Sequence, residues 1–383
     1  MSASEKVLAD VALLLPAVRA AADEIEQAGR LPRSIVDGMA AAGVFKLCVP
    51  RDLGGIETDV LILFDVLETI ASADGSTGWC AMIGATTGLV AGYLDETNAR
   101  AIFGAPDAIA GGVFAPYGRA VREGADVIVS GRWPFASGSS HCTWLLGGAM
   151  VEAPKGAEDA GAPAARMVVF PARDVTIHPT WQVSGLCGTA SNDIEVQELR
   201  VPYARTVSLV ADRPRSDGAL YRFPAFGLLA LGIAAVALGI ARGATDDFRE
   251  LAAAKTPSGS RRMLRERATV QADMAQTIAE TESARSYLAD TAARCGREAA
   301  AGEISVDARA RLRLAATHAT RQAARAVDRL YDAGGGTSIY RRSALQRRFR
   351  DVHVATQHAM IAPATYEPVG RLLLGLETDA SQL

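Results

Sequence analysis

The chain has 383 residues, 49% of them hydrophobic and 22% charged, enough for roughly two or three domain-sized cores and too apolar for a disordered chain. A formal net charge of −3 leaves no basic field to attract nucleic acid. Its five cysteines form no CxxC pair and have no histidine at ligand spacing, so we expect neither a metal site nor a disulfide framework, and a cytoplasmic protein.

The first region, 1–105, reads as an N-terminal helical domain. Its opening apolar run, VLADVALLLPAVRAAADE, carries Asp10 and lacks a basic leader, which argues against a signal peptide. LLPAVRAAADEIEQAGR spaces apolar residues at three and four, as an amphipathic helix does. LPRSIVDGMAAAGV follows as a second helix, and VPRDLGG (49–55) breaks the pattern. Two further helices are expected from Asp59 to Ala73 and from Ser76 to Tyr93, with Ser76 as the N-cap.

The second region, 106–208, changes character. Runs such as ADVIVSGRW, WLLGGAMV, ARMVVFPA and DIEVQELRVP are short, β-rich and separated by Gly, Pro and Asp. They predict an antiparallel β-barrel or sandwich. EAPKGAEDAGAPAA (152–165) reads as a hairpin tip at the surface.

From 218 to 383 the chain is helical again, in long segments that predict a four-helix-type bundle. Residues 223–241 carry no charge and are long enough to span a bilayer. Their Ala and Gly content, and the soluble character of the flanking helices, instead predict a buried bundle helix and no membrane span. Helices, a β-domain and a bundle in that order favour a cofactor cleft where the three meet.

The residues at the joints strengthen this picture. GVFKLCVPRDLGG (43–55), IASADGSTGW (70–79), SGRWPFASG (130–138), GLCGTASNDIEVQELRVP (185–202), GIARGA (239–244), DAGGGTSIY (332–340) and RRFRDVHVATQH (347–358) occur in one order along nearly the whole chain. Together they resemble the acyl-CoA dehydrogenase fold. Within that superfamily the dehydrogenases use a glutamate to remove an α-proton. A second branch resembles p-hydroxyphenylacetate hydroxylase and the steroid-ring and thiophene hydroxylases. These are two-component monooxygenases that take reduced flavin from a separate reductase and form a flavin C4a-hydroperoxide.

The two placements of the dehydrogenase glutamate fall, by ungapped counting, at Ala359 and near Leu229. Neither is acidic, so α,β-dehydrogenation lacks its base. His358 stands beside the first of them. An imidazole, with an ordinary pKa of about 6.5, can take a phenolic proton or hold a peroxide oxygen. His353 lies on the same expected helix and would point away from His358, so only one faces the flavin. We take His358 as catalytic and His353 as a substrate-side residue.

The resemblance implies further assignments. In WPFASG, Trp133, Phe135 and Ala136 would pack at the isoalloxazine, and the Ser137 hydroxyl would approach flavin N5. His141 reads as a supporting or surface residue. Gly335 and Gly336 match a turn where a neighbouring subunit's flavin tail packs, although a helix C-cap reads equally well. Arg261 and Arg265 lie where the family has an arginine for the flavin phosphate. Trp79 is a candidate wall of the substrate pocket.

No GxGxxG with a following acidic residue is present, so nicotinamide binding is not expected. The leading expectation is a monooxygenase. It would use reduced FMN or FAD delivered by diffusion from a reductase, act on an aromatic or polyketide-like small molecule, and assemble as a homodimer or homotetramer. The alternatives are an FAD-dependent acyl-CoA dehydrogenase with an unusual base, and a non-catalytic flavin-fold binding protein.

Overall fold

A computed structural model describes residues 2–152, 163–381 and 383. Most of the expected hairpin tip at 152–165 lies outside the described residues. The N-terminal region folds as α1 (Ala3–Ala28), α2 (Arg33–Ala41), α3 (Val60–Ala73), α4 (Gly75–Thr87) and α5 (Glu96–Phe103). The cap of α4 is Asp74, not the expected Ser76: its carboxylate accepts from Thr77 N at 2.7 Å. Ser76 Oγ instead accepts from Gly188 N at 3.2 Å and ties α4 to the β-domain.

The strands are β1 (Ala110–Glu123), β2 (Asp126–Ala136), β3 (Trp144–Glu152), β4 (Ala164–Pro171), β5 (Thr176–His178), β6 (Asn192–Pro202) and β7 (Thr206–Val207). They form one mixed seven-stranded sheet in the order β5-β6-β2-β1-β3-β4-β7. The expectation of a purely antiparallel β-domain is therefore corrected at one ladder, because β1 and β3 run parallel. The cause is local. A tight turn sends β2 back along one edge of β1, with Glu123 opposite Asp126. The segment 137–143 then returns the chain to the start of β1, where Thr143 N and Trp144 N both donate to Ile109 O, at 2.8 and 3.1 Å. From there β3 can only run alongside β1 in the same direction.

The C-terminal region holds α6 (Ala219–Arg222), α7 (Ala225–Ala254), α8 (Ala268–Ala301), α9 (Val306–Gly334), α10 (Ala344–Ala355) and α11 (Tyr366–Leu373). α7 is apolar and long enough to cross a membrane, yet 83% of its most apolar window is buried within the fold. It lies close against α3. A Cβ on Gly239 would meet Glu68 O at 2.4 Å, and one on Gly243 would meet Ser72 O at 2.4 Å, so both contacts require glycine.

α10 joins the three regions through charge. Arg347 pairs with Asp23 of α1 at 2.5 Å. Arg348 pairs with Asp247 of α7 at 3.0 Å and donates to the carbonyls of Ser72 and Ala73 at the end of α3, at 2.8 and 3.0 Å. Arg350 donates to Ser184 O and to Glu26. The buried Asp351 accepts from Leu186 N at 2.6 Å.

Candidate active site

Strand β2 delivers the centre of the site, and a bulge sets its geometry. The β2–β6 register shifts between Trp133 and Ala136, and Phe135 sits in the left-handed region at φ +66°. Without the bulge, Trp133 and Phe135 would share a face. With it, Trp133 points into the β-domain while Phe135 is thrown outward, 66% exposed, edge-on to Trp181 at a centroid distance of 6.1 Å.

That split corrects part of the expected flavin wall. Trp133 is wholly buried among Gly118, Gly131 and Gly147, and its Nε1 donates to Gly148 O at 2.7 Å. Ala136 is equally buried. Neither side chain has a free surface to offer a ring, because both fill the interior of the β-domain. Phe135 alone of the three is presented outward.

Ser137 follows the bulge and leads a buried line of hydroxyls. Trp79 Nε1, from α4, donates to Ser137 Oγ at 3.0 Å. Ser137 Oγ lies 2.7 Å from Ser191 Oγ, which lies 2.7 Å from Thr189 Oγ1. Thr189 Oγ1 reaches Leu186 O at 2.8 Å. The loop presenting Thr189 and Ser191 bends at Leu186 (φ +50°) and Ala190 (φ +45°), unusual for residues with a Cβ.

Trp79 also faces His358, with the ring centroids 5.9 Å apart. His358 does not lie on the helix of His353. α10 ends at Ala355, and His358 starts a separate short turn, Ala359–Ile361, so the expected helical offset between the two imidazoles does not apply. The structure gives them different neighbours. His353 Nε2 pairs with Asp328 at 2.7 Å, and its ring tilts against Phe349, which stacks on Tyr331. His358 stands with Trp79 and, through it, Ser137.

The chemistry of His358 is set by two contacts. Its Nδ1 accepts from Met360 N at 3.2 Å, which places the ring proton of the neutral form on Nε2. Burial, and then the nearby Arg313 guanidinium, push its pKa down to about 4. At neutral pH His358 is therefore an uncharged hydrogen-bond donor and a weak base. Ala359, at one expected glutamate position, is exposed, and Leu229, near the other, is buried.

His141 turns back over the same segment. A Cβ on Gly138 (φ +74°) would meet its Nε2 at 2.9 Å, and its ring lies 6.5 Å from that of Phe45. Burial, with Arg33 adding to it, lowers its pKa to about 4. One imidazole, an indole and three hydroxyls are thus linked here, with His141 packed against the adjacent Gly138.

Elsewhere, Gly335 (φ +57°) follows α9, and Lys255 Nζ donates to Gly334 O at 2.6 Å. Leu264 N donates to Lys255 O at 2.8 Å, so the exposed Arg261 and Arg265 belong to the segment joined to this glycine turn. These candidates form their own group at one end of the bundle. Among the described residues no group of His, Cys, Asp and Glu could hold a metal ion.

Sequence reading missed Thr189, Ser191 and Arg313. The first two sit more than fifty residues from Ser137, with only alternating hydroxyls in GLCGTASND as a signal. Arg313 was detectable as a charge at a buried phase of α9, beside Leu312, Ala315 and Ala316.

The indole, the hydroxyls and the neutral imidazole offer hydrogen-bonding groups of the kind that suit a ring system with polar edges. Comparison with known proteins agrees in kind. Residues 13–98 match the acyl-CoA dehydrogenase N-terminal domain, and residues 231–363 its C-terminal domain. The chain is 32% identical over 359 residues to indole-3-acetate monooxygenase of Pseudomonas putida, covering 93% of this chain and 90% of that protein. It is 27% identical over 370 residues to the flavin-dependent monooxygenase oxygenase subunit HsaA of Mycobacterium tuberculosis, covering 94% and 93%. The HsaA crystal structure superposes with a TM-score of 0.92 over the full length of both chains, at 26% identity. XiaF from Streptomyces sp., in complex with FADH2 and glycerol, gives a TM-score of 0.90 at 26% identity, covering 98% of this chain and 96% of that one.

Proposed function

The chain belongs to the acyl-CoA dehydrogenase family, in its flavin-dependent monooxygenase branch, and from that premise we propose that it is the oxygenase component of a two-component hydroxylase. In this reading it takes reduced FMN or FAD from a separate reductase by diffusion. It inserts one oxygen atom of dioxygen into an aromatic or polyketide-like small molecule, the other leaving as water. A cytoplasmic homodimer or homotetramer is part of the same proposal.

The observation that carries it is His358. A neutral imidazole with its proton on Nε2 stands across the Trp79 ring, and neither dehydrogenase position holds a carboxylate. Reduced flavin, when bound, supplies the electrons that activate dioxygen. The rest is done by side chains. Phe135 and Trp181 give the ring an apolar support, and the Ser137 hydroxyl meets its polar edge. His358 Nε2–H holds a substrate oxygen, such as a phenolic one, where a base of pKa about 4 would not remove its proton. The nearly buried Trp79 keeps water from the space between them.

The test supplies chemically reduced FMN or FAD to the purified chain under labelled dioxygen, with a panel of aromatic acids, phenols and indoles. A product carrying one labelled oxygen is expected without any nicotinamide. Discharge to hydrogen peroxide alone across the panel, or bleaching of bound FAD by an acyl-CoA, would overturn the reading.

A further inference from the structure

The hydroxyl line behind Trp79 can be ordered in two directions, and the proton count shows how they differ. Each hydroxyl has one proton to give, and the Trp79 indole only donates. If Thr189 donates to Leu186 O, at 2.8 Å, Ser191 must donate to Thr189 and Ser137 to Ser191. Ser137 then accepts from Trp79 and has no proton left for the cleft. If Thr189 turns onto Ser191, then Ser191 turns onto Ser137, and the Ser137 proton is released outward.

The second order strands nothing. Leu186 O still accepts from Trp181 Nε1 at 3.1 Å and from Thr189 N at 3.2 Å. Reversal needs three hydroxyl rotations and no backbone movement. The line is shielded from solvent, with Ser137 5% exposed, Ser191 3% and Thr189 1%, so its most exposed end is Ser137, where an acceptor set against that hydroxyl would draw it outward.

We propose that Ser137, Ser191 and Thr189 form a reversible hydroxyl relay. It runs inward in the ligand-free chain and outward when a ring acceptor sits against Ser137. Ser191 and Thr189 are positioning residues that act through Ser137. The identity of that acceptor as a flavin ring nitrogen rests on the function proposed above; the two-way relay itself does not.

Thr189→Val isolates the relay because it keeps the shape and removes the hydroxyl. Ser191 then has only Ser137 to donate to, so the relay is fixed outward. In the flavin-free protein the Trp79 indole N–H signal, assigned by loss in Trp79→Phe, should move upfield. Ser137 would then accept twice and donate to no protein partner, making it a weaker acceptor for the indole. Thr189→Ser should restore the wild-type position.

Oxidised FMN and FAD are the binding probes. Thr189→Val should bind them up to about fivefold tighter, since one hydrogen bond no longer has to be broken for reversal. Ser137→Ala should bind them more weakly.

An indole signal unchanged between wild type and Thr189→Val overturns the relay whatever the flavin does. So does weaker flavin binding in Thr189→Val, matching Ser137→Ala. A shifted signal with flavin affinity unchanged in both variants supports the relay and overturns instead the placement of the flavin ring at Ser137.

Discussion

The α10 junction and the Trp79–Ser137–His358 cleft both bury polar groups where the three regions meet, but they use opposite chemistry. The junction is built largely from charge: Arg347, Arg348 and Arg350 reach α1, α3, α7 and the 184–186 loop, where the buried Asp351 accepts from Leu186 N. The candidate site is built from an indole, hydroxyls and the His358 imidazole, whose own groups carry no charge at neutral pH. Charge pairs hold domains in register because breaking one strands its partner. If the proposed flavin sits there, fixed neutral donors would stabilise developing charge without competing with it. Joint and candidate site are thereby chemically distinct within one interface.

The largest expected effect breaks the joint. Arg348→Ala removes a nearly buried guanidinium from Asp247 and from the carbonyls closing α3. It should cost about 3 kcal/mol in denaturant unfolding.

A change in the cleft should do the reverse. His358→Ala should leave stability nearly intact and lower coupled product formation about a hundredfold, the scale of one lost pre-organised donor. The assay supplies reduced flavin and compares product with hydrogen peroxide. A large stability loss with unchanged coupling would assign His358 to the scaffold.

The two tryptophans sharpen the contrast. Trp133→Phe removes the Nε1 bond to Gly148 O inside the β-domain and should destabilise the fold by about 2 kcal/mol. Its effect on oxidised flavin affinity should be small. Trp79→Phe also removes a buried Nε1 bond, to Ser137 Oγ, so it should destabilise the fold comparably while weakening oxidised flavin binding as well.

The smallest effect concerns pH. Burial first, and then Asp74, raise Asp351 to about 7. The folded state keeps this proton where the unfolded chain has released it, so the stability it contributes is complete below about pH 4 and lost as pH rises to about 7. His141 and His358, lowered to about 4, act in the other direction: their contribution is present above about 6.5 and lost as pH falls through about 4. Asp351→Asn should therefore raise the unfolding midpoint relative to wild type at pH 8, with the difference shrinking at pH 5.

Much of the scaffold was legible because patterning carries it. The uncharged run at 223–241 becomes the buried core of α7, and the order of helices, sheet and bundle follows the changes in composition. The parallel β1–β3 ladder was hidden, since short runs between turns read as hairpins until the 137–143 return is seen.

At the site, residue types carried further than directions. Ser137 and His358 stood out, but strand alternation gives Trp133 and Phe135 one face, and only the bulge and the positive φ at Phe135 separate them. The end of α10 at Ala355 was equally invisible, because nothing in VATQH breaks a helix. Thr189 and Ser191 reach Ser137 through tertiary folding alone.

The central claim is that the imidazole opposite Trp79 is a neutral donor. Nitrogen-15 NMR of the His358 ring across pH 3.5–8 reads it directly, with His358→Gln identifying the signal. One neutral tautomer, protonated at Nε2, is expected throughout pH 5.5–8, with titration near about 4. Titration near about 6.5, or a neutral form protonated at Nδ1, would contradict it.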